Sequence, residues 1–496
     1  MPITLSKTDF LEYLKCPKCL WLKKNRPDLY LPPKLSDFDL KNFDEGQEVD
    51  ELARDFFPGG ILVEGSAEKM LTETKRLINE KKSVIFQATF MLDSFIAKVD
   101  ILEFDKENQC WNIYEVKSSS KINTDRDHNH LKDITFQKIV GDKTGLAIEK
   151  SYIIHLNKDY RKKGKIDVGG LFIKVDVSDD IKKIYSQTLQ EMADAVSFIQ
   201  TENIELQSCG CLYLTRTNHC SSFSVLNPNI PEYSVHDISR IHPTKLRNLI
   251  DLGIFNITNV PDSFELSEIQ RNQVSLSQSR EVEINRDNVR EVVSKIKTPI
   301  YFIDYETYLS AIPLLDGFGP HQHMPFQVSI HILDFEGNLK HFEYLASTIE
   351  EAIPGVIGLM KEVISDEGSV ISWHASFEGT RNKEIGQIFP AYQSFLNSIN
   401  ERTFDLETIF KKDYIHPGFK GKTSIKKVLP TLIPTFSYSD LDIQGGTEAM
   451  ENWHKIIFDG ISMEEKERIR ISLLVYCRLD TLAMVEIYKH LVQKIS

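Results

Sequence analysis

The stretch YFIDYET, residues 301–307, decides how this chain is read. Tyr301, Phe302 and Ile303 are aromatic or β-branched and follow a breaker, Pro299, which predicts a strand running into a core. Asp304 and Glu306 stand at its end. Residues two apart on a strand share a face, so two carboxylates project side by side from an apolar strand. Burying one unpaired charge is costly, and a second like charge raises the cost. Either the strand end has reached water or a cation sits between the two acids.

The surrounding chain has 496 residues, more than one core accommodates, so two or three domains are expected. Hydrophobic content of 41% and charged content of 26% match a soluble globular protein. No apolar run is long enough for a membrane span. The opening MPITLSKTDF has no basic segment leading into an apolar one, so no secretory signal is expected and the expected compartment is the cytoplasm. A formal net charge of −13 argues against a protein that coats nucleic acid by bulk attraction, while leaving room for a local basic groove and acidic metal sites.

The seven cysteines are unevenly spread. Cys110 and Cys477 are isolated, Cys16 and Cys19 form CPKC, and Cys209, Cys211 and Cys220 lie in SCGCLYLTRTNHC. Clustered thiols in a cytoplasmic chain hold a metal more often than a disulfide.

Three segments are expected. Residues 1–225 contain strand-like runs (SVIFQATFML, SFIAKVDILEF, CWNIYEVKSSS, KSYIIHLNKDY) and then a long helical pattern opening near Asp179 and Asp180. Residues 226–297 read as a short helical region, with Gly253 stopping a helix in the manner of a helix-hairpin-helix or a plain spacer. Residues 298–496 read as an antiparallel meander followed by alternating strand and helix, which suits a mixed sheet covered by helices. The fold class is therefore α/β. GFKGKTS at 418–424 lacks the first glycine of a phosphate-binding loop, because His416 stands there. HNH at 128–130 reads as a solvated loop in a charged stretch.

Partners for the opening acids lie downstream. Glu378 follows a predicted strand in SVISWHASFEG, and Tyr476 and Asp480 are four apart, on one helix face, in SLLVYCRLDTLAMVEIY. FIDYET, HASFE and YCRLD, in that order, resemble the three motifs of the DEDDy branch of the DnaQ-like 3′→5′ exonucleases, which have an RNase H-like fold. Glu378 stands where that family has aspartate, and Asp405 in TFDLET is a possible substitute. The resemblance implies that Asp304, Glu306, Glu378 and Asp480 bind magnesium or manganese. In that reading Tyr476, whose ordinary pKa is about 10, orients the attacking water. Lys420, Lys422, Lys426 and Lys427 are candidate phosphate contacts, and His323 and Gln327 are candidate lining residues.

The first segment holds a second pattern. Glu115 and Lys117 share a strand face, and a hairpin would bring Asp100 alongside. Asp and Glu can hold a metal while a lysine stabilises charge developing on phosphate. A surface salt bridge would leave the same pattern. With Gln137, these residues resemble the PD-(D/E)xK nucleases of the RecB type. A subgroup of that family, which includes the CRISPR-associated RecB-like exonucleases, carries a [4Fe–4S] cluster on one N-terminal and three trailing cysteines. The resemblance implies Cys16, Cys209, Cys211 and Cys220 as its ligands, with zinc using Cys16 and Cys19 as the alternative. Gln87 occupies a position that is often acidic in that family, and the helix near DEGQEV lacks the histidine that many relatives carry. The whole chain resembles a bacterial family that fuses a RecB-like nuclease to a DnaQ-like exonuclease domain. The implied function is a two-site nuclease acting on DNA in processing, repair or defence. The alternatives are an exoribonuclease, since telling the sugars apart needs contacts to the 2′-OH, and a nucleic-acid-binding scaffold whose N-terminal site is inactive.

Overall fold

The computed structural model describes residues 4–33, 37–126 and 128–495. The chain divides into two units, residues 1–230 with 311–320, and residues 231–310 with 321–496. Both are mixed α/β structures built on mixed sheets.

The first unit holds strands β1 (Ile61–Leu62), β2 (Val84–Leu92), β3 (Phe95–Asp105), β4 (Cys110–Lys117), β5 (Ile148–Leu156) and β6 (Phe172–Asp176), adjacent in sequence order. β2, β3 and β4 pair antiparallel, and β4 pairs parallel with β5. A parallel pair needs a crossover, which the helix His130–Lys143 supplies. That helix is buried on most of its surface, so the polar side chains it carries into the core need partners. Within 128–130, His128 is exposed and lies with Asn129 before the helix, as a solvated loop would, but His130 departs from that expectation. His130 opens this helix, is buried, and its Nδ1 accepts the Asn123 N–H at 3.1 Å. Burial, aided by Lys117, pushes its pKa down to about 4.

In the second unit β7 (Glu283–Ile284) pairs antiparallel with β13 (Tyr414–Ile415). The main sheet contains β8 (Ile300–Tyr308), β9 (Met324–Leu333), β10 (Leu339–Leu345), β11 (Ser369–Ser372) and β12 (Thr403–Asp405), in the order β10-β9-β8-β11-β12. β8 is central, antiparallel to β9 and parallel to β11. Its first four residues are apolar and almost wholly buried, as a strand between two neighbours requires. The β8–β9 register shifts between Glu306 and Thr307, a bulge of the kind that re-aims side chains beside functional sites. The helix Met463–Ile495 packs on β8 and β9 and presents a long buried face.

The segment expected as a separate helical region counts with the second unit from residue 231. It contains helices Pro243–Asp251, Glu268–Ser279 and Arg286–Ser294, and Gly253 follows the first at φ +71, a left-handed turn that glycine adopts without strain. Among the described residues no helix is long and apolar enough to cross a membrane.

Candidate functional site

β8 places Asp304 and Glu306 on one sheet face. The helix Met463–Ile495 brings Tyr476, Cys477 and Asp480 to the same group, because positions three and four apart share a helix face. Cys477 Sγ lies 3.8 Å from Asp304 Oδ2. Glu378 enters from the first turn of the helix Ser376–Ile388, where the helix dipole favours a carboxylate. Its charge acts on both Asp304 and Glu306.

Glu306, Glu378 and Asp480 are each only 6% exposed, so water does not solvate their charges. The Glu306 carboxylate has no hydrogen-bond partner among the described residues, and Glu378 Oε2 is buried without one. Burial, then the charges of Asp480, Glu306 and Glu378, drives the Asp304 carboxyl well above its ordinary range. Burial and Asp480 do the same to Glu306. Burial pushes Glu378 up to about 8 and Asp480 up to about 6, the latter against a hydrogen bond from Tyr438. Uncompensated buried charges cost several kcal/mol each, so these acids must either hold protons or share a cation.

The side chains nearest the acids are ordered around them. Lys426 Nζ donates to Tyr476 Oη at 2.8 Å and stands 4.7 Å from the centre of that ring, and the Tyr438 hydroxyl donates to Asp480 Oδ1 at 2.6 Å. Burial and the Glu306, Asp480 and Asp304 charges raise the Tyr476 pKa, so its hydroxyl keeps its proton. Of the four lysines in 420–427, Lys426 is the one whose contacts reach this group. Lys420 and Lys422 are exposed, and Lys420 stands over the Tyr233 ring. Gln327 is fully buried and donates to the Leu473 carbonyl at 2.9 Å, tying β9 to the long helix. His323 Nδ1 lies 2.8 Å from Thr307 Oγ1, and its ring meets Phe377 edge-on. Asp405 Oδ1 accepts the backbone N–H groups of His374 and Glu407 at 3.0 and 3.1 Å, so it anchors a turn.

The first unit collects a second acidic group of different character. Glu115 is 1% exposed, yet both its oxygens are partnered. Oε1 accepts from Lys7 and Lys117, each at 2.7 Å, and Oε2 accepts from Gln137 at 2.6 Å. Asp133, one turn before Gln137, pairs with Lys117 at 2.5 Å and Lys7 at 3.2 Å. Burial pushes Asp133 up, but the two ammonium groups more than offset it and hold it below the usual carboxylate range. Asp100 Oδ2 accepts the Val116 N–H at 2.9 Å, and burial together with the Glu115 charge pushes its pKa up to about 8. Gln87 sits opposite Asp100 at φ +57, a left-handed conformation rare outside glycine that recurs at functional sites. Its amide is shared between Asp100 at 3.4 Å and Asp50 at 3.3 Å. Asp50 lies in the helix Asp37–Ala53.

Cys16, Cys209, Cys211 and Cys220 converge, their sulfurs all within 4.8 Å of one another, and the group could bind a metal. Cys19 stands outside this set, its sulfur 3.5 Å from Ser221 Oγ and 3.6 Å from Ser222 Oγ. Arg126 donates to Cys211 Sγ at 3.3 Å and Asn227 to Cys209 Sγ at 3.4 Å.

Lys7, Asp133, Asp50, Tyr438 and the position of Cys477 are absent from the sequence reading. Asp133 and Gln137, four apart on a helix, gave a usable signal. Lys7 lies 108 residues from Glu115 and gave none.

Residues 301–424 match the family described as a domain of unknown function, DUF2779. The matched span takes in Asp304, Glu306, Glu378 and Asp405 and ends before Tyr476 and Asp480. No curated protein matches the chain.

Proposed function

We propose that this chain is a metal-dependent nuclease with two sites, acting on DNA. The second unit is read as a DnaQ-like exonuclease domain of RNase H-like fold that removes 3′ nucleotides, and the first as a RecB-like PD-(D/E)xK domain. The observation that carries the reading is the Glu306 carboxylate, buried beside other acids and, among the described residues, without a hydrogen-bond partner. Oxygens of Asp304 and Glu306 lie within 4.8 Å of one another, and the charges of Asp480 and Glu378 act on both; carboxylate oxygens are a hard donor set and fit divalent magnesium or manganese.

Asp304, Glu306, Glu378 and Asp480 would hold the ions. Bound there, such ions supply an activated water and stabilise the leaving 3′ oxygen. Tyr476 keeps its proton and orients that water, while Lys426 fixes the Tyr476 ring and places a positive charge where a phosphate would lie. Tyr438 keeps Asp480 aimed inward.

In the first unit Asp100 and Glu115 would hold metal, Lys117 would face the phosphate, and Gln137 orients Glu115. The four converging thiols fit a [4Fe–4S] cluster, whose sulfurs accept hydrogen bonds of the kind Arg126 and Asn227 make. Zinc is the alternative occupant. A second reading of this unit, a docking module without cleavage, is favoured by one observation: Glu115 is already satisfied by two lysines and Gln137.

End-labelled DNA and RNA, single- and double-stranded, incubated with the protein and magnesium or manganese, test the proposal. Shortening from the 3′ end of DNA supports it. An exclusive action on RNA would move the substrate to the exoribonuclease alternative.

A further inference from the structure

The thiol in the acidic group has no part in the chemistry above. Cys477 is 0% exposed, and its sulfur lies 3.8 Å from both the carbonyl oxygen and Oδ2 of Asp304. One donor atom from each of Asp304, Glu306 and Cys477 lies within 4.8 Å of the others. Glu306 is more than nine-tenths buried and lacks a hydrogen-bond partner among the described residues. Its oxygens and the adjacent sulfur therefore belong to one buried cluster of donor atoms. Asp304 is only half-buried, which leaves an ion a way in.

The donor types set the metal. Zinc–sulfur bonds of ~2.3 Å and zinc–oxygen bonds of ~2.1 Å in a tetrahedron put donors about 3.6 Å apart, so the three groups need to close by about an ångström. Magnesium gains nothing from sulfur, whereas zinc and its softer congener cadmium bind thiolate strongly. We infer that Asp304, Glu306 and Cys477 form a three-ligand site for a thiophilic divalent cation, with a fourth position left open. Binding displaces the thiol proton and any carried by the two carboxyls into solvent. Two of the ligands belong to the proposed magnesium set, so zinc or cadmium competes with magnesium for them. That consequence, inhibition of cleavage, rests on the nuclease reading, while the binding itself does not.

Cadmium is the probe, because a cadmium–thiolate bond adds an ultraviolet charge-transfer band that carboxylates cannot produce. The full chain, isolated with its four-cysteine group loaded, is titrated with cadmium chloride and bound metal is counted by equilibrium dialysis. The expected result is that Cys477→Ser removes one equivalent of cadmium and the band that accompanies it. Asp304→Asn, which keeps the thiol, should weaken the same equivalent at least tenfold. It also serves as the test should Cys477→Ser fail to fold, as judged by circular dichroism. Identical band and stoichiometry in wild type and folded variants overturn the inference, whatever happens to DNA. Absence of magnesium-dependent cleavage with the Cys477-dependent band intact overturns the nuclease reading alone.

Discussion

The Tyr438 hydroxyl donates to Asp480 Oδ1 at 2.6 Å, across 42 residues of sequence, and this bond opposes the upward push of burial on the Asp480 carboxyl. A hydrogen bond to a charged group contributes about 1.5–3 kcal/mol. Tyr438→Phe should therefore raise the Asp480 pKa above its present value of about 6. The acid limb of the cleavage profile should move to higher pH, with a loss of about tenfold near neutrality that recovers in alkali. A magnesium-supported pH–rate profile of both proteins checks this, and an unshifted acid limb would disprove the role given to Tyr438.

Glu378 gives a stability prediction whose sign is fixed by its raised pKa of about 8. An unfolded glutamic acid titrates near ~4.3. Between those values the folded protein holds a proton that the unfolded chain has lost, so stability falls as pH rises, by up to about 1.4 kcal/mol per pH unit for this group. Metal-free protein should thus melt at progressively lower temperature from mildly acid to mildly alkaline pH. Glu378→Gln should flatten that slope, and magnesium should raise the melting temperature most at the alkaline end. Thermal unfolding in chelator and in magnesium reads all three, and parallel curves for parent and variant would count against the buried, uncompensated carboxyl.

Lys7 is the counterpart in the first unit. Burial lowers its pKa, but Asp133, Glu115 and Asp100 drive it well above the ordinary value. Its contribution to stability is fully present at neutral pH and is lost only as pH rises through that elevated pKa. Lys7→Met leaves two buried acids short of a partner and should destabilise the first unit by about 3–5 kcal/mol. If the acids can take a divalent ion, magnesium should recover part of the loss. Denaturant unfolding with and without magnesium separates a metal site from a salt-bridged docking module, since the module shows no recovery. For the same reason, Lys117→Ala should remove an activity that survives Asp304→Asn.

The cysteine group joins residue 16 to residues 209–220, closing a loop of nearly the whole first unit. By analogy with a disulfide over a long loop, such a cross-link is worth about 4–5 kcal/mol. Replacing Cys16 or Cys220 should destabilise the first unit far more than replacing Cys110, and also more than replacing Cys19, which stands outside the group. Anaerobic preparation should yield iron and labile sulfide. Stoichiometric zinc without iron would assign the site to zinc.

Local patterns were legible and long-range partnerships were not. Strand β8 could be read because an unbroken run of aromatic and β-branched residues follows a proline, and the Tyr476–Asp480 spacing could be read because a helix puts i and i+4 together. The resemblance, not any local pattern, put Cys16 rather than Cys19 with Cys209, Cys211 and Cys220, and the structure brings those four sulfurs together. Lys7 and Tyr438 reach their acids through tertiary packing, for which a single sequence carries no period. In TDRDHNHLKD the polar neighbours hide His130 as the start of a buried crossover helix.

The most direct measurement is digestion of a 5′-labelled single-stranded DNA by wild-type, Asp304→Asn and Asp480→Asn proteins in magnesium, with circular dichroism confirming that all three are folded. The expected result is a ladder of products shortened from the 3′ end for the wild type and intact 3′ ends for both variants. Variants that shorten the strand as fast as the wild type, or a folded wild type that leaves it intact in magnesium and manganese alike, would contradict it.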